Sequence, residues 1–339
     1  MSRKKPVKNN DISPFDILTR SIGTLAGVTA AAAGGWILYS NLAINHNQPL
    51  PYAMNAERKE FDSPTVGKIS YYVDQKKNGR PLVLIHSVNA AASAYEMRPL
   101  FEHFRQDRPV YAIDLPGFGF SERQKYHADP VLFEDAVTDL LSTQVSEPAD
   151  VVALSLGCEF AGRSAVRKPE LFHSLVFISP TGFNQLSTSR GGSESLYNLF
   201  TRPLWRRPLF DLITTRQSIK YFLRKSFVGP VPAPLVNYAY ATAHRPGAEH
   251  TPLAFISGKL FTPAVRTTIY DLIKIPILVI YDRDAYTRFE ALPGLVKANP
   301  NWRAVKLSPS FGLPHFEKTK DTIQELNVFW KELQPQEKE

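Results

Sequence analysis

A serine flanked by small residues stands out first. Ala153-Leu154-Ser155-Leu156-Gly157 lies between an apolar run, Asp150–Leu154, and a stretch with helical spacing, Leu156–Arg167. A hydroxyl held on a sharp strand-to-helix turn suits nucleophilic acyl chemistry, and the spacing matches G-x-S-x-G with alanine in the first place. Such a turn strains the serine backbone, so the residues two away on either side must be small. Gly157 meets that demand fully and Ala153 adequately. The turn lifts the Ser155 hydroxyl above the sheet, and the helix starting behind it directs partial positive charge at any oxyanion formed there. The plain alternative is a serine in an ordinary strand–helix turn.

A serine hydroxyl is a poor nucleophile until a base takes its proton, and the base needs a carboxylate to orient it. The stretches PLVLIHS (81–87), DLPGFGFSER (114–123), SLGCEFAGRSA (155–165), LVFISPTGF (175–183) and GLPHFEK (312–318) frame that question. In this order they resemble the α/β-hydrolase superfamily, from Lys68 to Trp330, and in combination an uncharacterised membrane-anchored branch of it. The resemblance implies the chain order Ser…Asp/Glu…His. Of the eight histidines only His315 follows Pro276–Tyr281, so that order selects it as base. YDRDAYT (281–287) resembles the family's acid turn, with Asp284 in the matching place and Asp282 as runner-up. Family members often read G-H-x-P-H-x-E before the last helix, the first histidine being the base. Here the stretch is Phe311-Gly312-Leu313-Pro314-His315-Phe316-Glu317, which puts Gly312 at the base position. Either the loop reroutes so that His315 serves, or the triad is broken.

The same resemblance implies an oxyanion hole from the N–H groups of Leu156 and Val88. Ser87 replaces the usual glycine there, a change that backbone donors tolerate. His86 is expected to be structural, and Cys158, in the first turn after the serine, a small packing residue. No metal or organic cofactor is required. The expected activity is acyl hydrolysis of an ester-type bond in a small hydrophobic substrate. A catalytically silent protein that binds a hydrophobic ligand or partner through its cap is the alternative, and carbon–carbon hydrolysis or cofactor-free oxygen or halide chemistry on the same fold stays open.

The surrounding elements fit an α/β architecture. Lys68–Val73, Pro81–His86, Pro109–Asp114, Asp150–Leu154, Leu175–Ser179, Pro276–Tyr281 and Ala304–Leu307 read as strands; Ser93–Phe104, Asp129–Val145, Leu156–Arg167 and Thr319–Glu332 read as helices. Strands alternating with helices imply a mostly parallel sheet covered on both sides. The core is expected over residues 67–182 and 276–334. Residues 183–275 lack strand alternation and are too long for a structureless loop, which predicts an inserted helical cap.

Composition sets the remaining bounds. Hydrophobic residues at 43% and charged residues at 21% exclude a fully disordered chain, and the single cysteine excludes an internal disulfide or a cysteine-rich metal site. The net charge of +8 is concentrated: residues 1–20 carry +3 and residues 183–275 carry +8. No charged residue lies between Arg20 and Glu57, and within that gap Ile22–Tyr39 is long enough, at about 27 Å as a helix, to span a bilayer. Residues 1–20 therefore read as a basic cytoplasmic tail, 21–44 as a single-pass transmembrane anchor and 45–66 as a linker, with the body outside the cytoplasm. A cleaved signal peptide and a soluble alanine-rich helix are the competing readings. The basic cap, with Arg202, Arg206, Arg207, Arg216, Lys220, Arg224 and Lys225 beside Trp205, Phe210, Tyr221, Phe222 and Phe227, suits anionic lipid headgroups. A solvated face over ordinary cap core is the alternative. No nucleic-acid-binding motif accompanies the basic cluster.

Overall fold

In the computed structural model, which describes residues 32–123, 128–184 and 192–334, the apolar runs of the sequence assemble into one sheet. Its strands are β1 (Glu57–Ser63), β2 (Gly67–Asp74), β3 (Leu82–Ile85), β4 (Val110–Ile113), β5 (Ala149–Leu154), β6 (Phe172–Ile178), β7 (Ile277–Tyr281) and β8 (Trp302–Lys306). They run in the order β1-β2-β4-β3-β5-β6-β7-β8. β2 is antiparallel to both β1 and β4, and every later pairing is parallel.

The parallel strands are apolar without interruption because both of their faces are covered. Val83, Ile85, Val151, Ala153, Leu175 and Phe177 point into one core, while Leu82, Leu84, Val152, Leu154, Val176 and Ile178 point into the other. Helices α3 (Pro130–Asp139) and α4 (Gly157–Arg167) close the first face, where Phe133 stacks on Phe160 at 4.5 Å. Helices α2 (Arg98–Phe104) and α13 (Thr319–Glu332) close the second, where Phe104 meets Trp330 edge-on at 5.2 Å. The helix expected over Ser93–Phe104 is divided: a 3-10 turn, Ala94–Met97, precedes α2, and Pro99 in the first turn of α2 lacks the N–H a continuous helix would need.

The expected linker, 45–66, is corrected. Leu50, Ala53 and Met54 are buried in the second core, and Glu57–Ser63 pairs with β2 along its whole length. The strand was illegible because it lies at the sheet edge, where ERKEFDS exposes its charges and needs no apolar alternation. Of the expected anchor, 21–44, residues 21–31 lie outside the described residues, and residues 32–43 form helix α1. Among the described residues no helix is long and apolar enough to cross a membrane.

Between β6 and β7 the chain forms the expected helices: α5 (Glu194–Phe200), α6 (Arg206–Ile213), α7 (Arg216–Arg224), α8 (Ala233–Ala243), α9 (His250–Ile256) and the short α10 (Val265–Thr268); α11 (Leu292–Ala298) follows β7. The basic face expected on this cap is smaller than the sequence suggested. Arg206 and Arg207 are paired with Glu249 at 3.2 and 2.6 Å, and Phe210 and Phe227 are buried.

Candidate active site

β5 runs straight into the serine turn. Ser155 has φ 53°, the left-handed region that a side chain disfavours, and its N–H donates to the Ile178 carbonyl at 2.9 Å, extending the β5–β6 ladder by one residue. It is partly exposed between the buried Leu154 and Leu156. A Cβ on Gly157 would lie 2.5 Å from the His86 carbonyl oxygen, so only glycine lets α4 start this close to the end of β3. Helix α4 has no side-chain cap, and among the described residues the Leu156 N–H has no acceptor.

The loop after β3 is held by a residue that the sequence reading missed. Glu96 is buried; its carboxylate accepts the Ser87 N–H at 3.0 Å and an Asn89 side-chain N–H at 2.8 Å. With Ser87 engaged, the Val88 N–H is left without an acceptor among the described residues. Burial pushes the Glu96 carboxyl up, against the pull of these donors. Its only signal in the sequence is an acid inside an otherwise apolar stretch, Ala94-Tyr95-Glu96-Met97. His86 is structural. Its Nε2 accepts the Leu115 N–H at 2.9 Å, so its Nδ1–H donates to the Ser87 carbonyl at 2.5 Å, and burial pushes its pKa down to about 3. Cys158 is buried against the Ala153 carbonyl with its thiol pushed up, which makes it unreactive.

The two acidic candidates separate clearly. Asp282 is buried and occupied: one oxygen accepts the Ser310 N–H at 2.9 Å and the other faces Lys306 Nζ at 3.5 Å. Asp284 accepts the N–H groups of Tyr286 and Thr287 on Oδ1, at 2.6 and 3.1 Å. Its Oδ2 lies 2.6 Å from where a Cβ on Gly312 would stand. Burial pushes this carboxyl up, partly offset by the two N–H donors.

His315 does not join them. It is fully buried in the short helix α12 (Pro314–Glu317), with Nε2 2.7 Å from the Glu96 carbonyl oxygen. A carbonyl can only accept, so Nε2 carries the proton, and among the described residues the buried Nδ1 has no partner. Burial pushes the His315 pKa down to about 4. Among the described residues no hydrogen bond links His315 with Ser155 or Asp284. The expected base is therefore hydrogen-bonded to Glu96, while the acid faces Gly312. A second unforeseen residue, Glu317, ties the loop to the cap by accepting the N–H groups of Val228, Gly229 and Phe311 at 2.6, 2.9 and 3.0 Å. Among the described residues no group of three or more His, Cys, Asp or Glu could hold a metal.

A family model described as "Alpha/beta hydrolase family" matches residues 82–318. The abhydrolase domain-containing protein abhd-5.2 of Caenorhabditis elegans is 31% identical over 110 residues, which cover 31% of this chain and 24% of the relative. The 2-hydroxymuconate semialdehyde hydrolase of Pseudomonas sp. strain CF600 is 30% identical over 139 residues, or 38% of this chain and 47% of that enzyme. The chain thus spans less than half the length of these curated relatives. The solved structure of a thermophilic esterase from Thermogutta terrifontis superposes with a TM-score of 0.64 at 16% identity, covering 83% of this chain and all of that one. At that identity the likeness concerns the fold.

Proposed function

Because the chain belongs to the alpha/beta hydrolase family, we propose that it is a slow acyl hydrolase that opens ester-type bonds with Ser155. The elbow carries this reading: Ser155 is held at φ 53° and partly exposed, and among the described residues the N–H groups of Leu156, next in the chain, and of Val88 have no acceptor. Strain of this kind costs on the order of 1–3 kcal/mol and persists where the surroundings enforce it. In this reading Ser155 Oγ attacks the substrate carbonyl and the two N–H groups receive the oxyanion; its collapse breaks the ester C–O bond and releases the alcohol, protonated from water, and a second water then cleaves the acyl-serine to the free acid and restores the Ser155 hydroxyl. The serine proton passes to water, since position 312 carries no imidazole and the Nε2–H of His315 is spent on Glu96. Losing the base costs serine hydrolases several powers of ten, whereas the oxyanion hole and binding alone retain roughly 10³-fold over water. The semialdehyde hydrolase and the esterase support the hydrolytic class.

The second reading is a silent hydrolase-fold protein that holds a hydrophobic ligand, and the apposition of Asp284 to Gly312 favours it. Fluorophosphonate labelling of the full-length protein separates the two. Slow, saturable modification of Ser155, absent in Ser155→Ala, fits the hydrolase; no modification of the folded wild type leaves the binder.

The membrane address belongs to the same proposal. Ile22–Tyr39, in a stretch free of charge from Ser21 to Ala56, anchors the chain with the body outside the cytoplasm. Complete release of the full-length protein by alkaline carbonate would remove the anchor from this reading.

A further inference from the structure

Helix α7 differs from an ordinary solvated helix. Only Ile219 of its nine residues is buried. Tyr221 and Phe222 are 58% and 43% exposed, and Val228 and Tyr286 are 48% and 59% exposed. Three of these side chains form one patch with Lys225. The rings of Tyr221 and Phe222 meet edge-on at 5.3 Å, Lys225 Nζ lies 4.6 and 5.8 Å from their centroids, and the Tyr286 hydroxyl donates to the Phe222 carbonyl at 3.2 Å.

The exposed charges of α7 beside the patch are positive. Lys220, Arg224, Lys225 and Arg283 are exposed, and among the described residues none has a carboxylate within salt-bridge distance. This sets them apart from Arg206 and Arg207, which Glu249 neutralises. The nearby acids are engaged by backbone donors: Asp284 by Tyr286 and Thr287, Glu317 by Val228, Gly229 and Phe311. The patch also borders the candidate site. Tyr286 supplies an N–H to Asp284, and the Cβ of Ser226, just past α7, lies 3.5 Å from where a Gly312 Cβ would stand.

We infer that α7 and Tyr286 dock on an anionic lipid surface and seat the Asp284–Gly312 side of the site against the headgroups. Exposed aromatic rings flanked by long cationic side chains fit a bilayer interface, with rings at headgroup depth and the ammonium and guanidinium groups on lipid phosphates. The substrate class this implies, acyl esters of membrane lipids, rests on the hydrolase reading above; the docking does not.

The test places one fluorophore on the patch of the full-length protein. Cys158 is the only cysteine and is buried, so a Gln217→Cys variant offers a single exposed thiol for an environment-sensitive dye on α7. Vesicles rich in phosphatidylglycerol are expected to shift the dye's emission to the blue, and 0.5 M salt to reverse much of the shift. Each cation near such a surface is worth roughly fivefold in partition, so Lys220→Glu/Arg224→Glu/Lys225→Glu, which also adds repulsion, should weaken the response by at least about a hundredfold. The N-terminal segment is common to every variant, so differences report the patch. No shift, an equal shift on uncharged phosphatidylcholine vesicles, or an unchanged response in the triple variant overturns the inference. Fluorophosphonate labelling is read separately, so a silent Ser155 with a docking α7 removes only the hydrolase reading and the lipid-ester substrate.

Discussion

Asp284 holds two backbone N–H groups on Oδ1 and turns Oδ2 onto Gly312, 2.6 Å from the point a Cβ there would occupy. The acid is thus in place for a residue at 312, and that residue has no side chain. Gly312→His should test this directly. The new Cβ must push Asp284 Oδ2 aside, but that oxygen is the free end of a short side chain and can swing to meet an imidazole N–H. A positioned base contributes about 10²–10⁴-fold, so fluorophosphonate labelling of Ser155 should speed up by at least 10²-fold. Adding Asp284→Asn should remove most of that gain. An unaltered labelling rate in folded Gly312→His would show that Asp284 is not aimed for catalysis.

His315 gives the opposite expectation. Its Nε2–H satisfies the Glu96 carbonyl, and the Glu96 side chain holds Ser87 and Asn89. His315→Ala leaves a buried carbonyl without a donor, which costs about 1–3 kcal/mol, and loosens the loop that presents Val88. Stability should fall, and labelling should slow tenfold or so through the maximal rate rather than through reagent affinity. A loss of several powers of ten at unchanged thermal stability would reinstate His315 as the base. Glu96→Gln should reproduce the kinetic effect in milder form, since an amide oxygen still accepts from Ser87.

The division between what the sequence revealed and what it hid follows from how each residue is used. β3 through β7 were legible because strands covered on both faces must be apolar throughout, and Ser155 because its turn demands Gly157. β1 was hidden because an edge strand can be charged. Glu96 and Glu317 were hidden because each acts on backbone N–H groups distant in sequence, a role with no spacing rule. Gly312 was visible as a departure from a pattern, but only the position of Asp284 shows that the acid still faces it.

The strain at Ser155 makes a prediction about stability. At φ 53° any non-glycine residue is disfavoured, and releasing it is worth about 1–2 kcal/mol, less about 0.4–1 kcal/mol for the extra freedom glycine gives the unfolded chain. Ser155→Gly should therefore be more stable than wild type by about 0.5–1 kcal/mol while losing all labelling. Ser155→Ala should lose labelling without that gain. Chemical denaturation of the three proteins decides it, and a Ser155→Gly protein weaker than Ser155→Ala would mean that the elbow is not strained.

One turn beyond Ser155, the buried Glu159 accepts the Thr181 hydroxyl at 2.5 Å and the Thr262 N–H at 2.8 Å. Burial pushes its pKa up to about 7, against these donors and the attraction of Arg163. The folded protein keeps this proton up to about pH 7, whereas the unfolded chain releases it near the ordinary value of 4.5. Below 4.5 the carboxyl therefore carries no penalty; as pH rises from 4.5 to 7 the folded state loses up to about 3 kcal/mol relative to the unfolded one. His86 and His315 act in the other direction. With folded values of about 3 and 4, they erode stability as pH falls below the ordinary histidine value of 6.5. The whole-protein curve mixes these trends, so the measurement is a difference. Glu159→Gln retains an acceptor for Thr262 and can donate to the Thr181 hydroxyl oxygen. Urea unfolding at pH 4.5 should find the variant and wild type within error of each other, and at pH 8 the variant ahead by about 2–3 kcal/mol. Parallel pH profiles for the two proteins would mean that Glu159 titrates as an ordinary carboxyl.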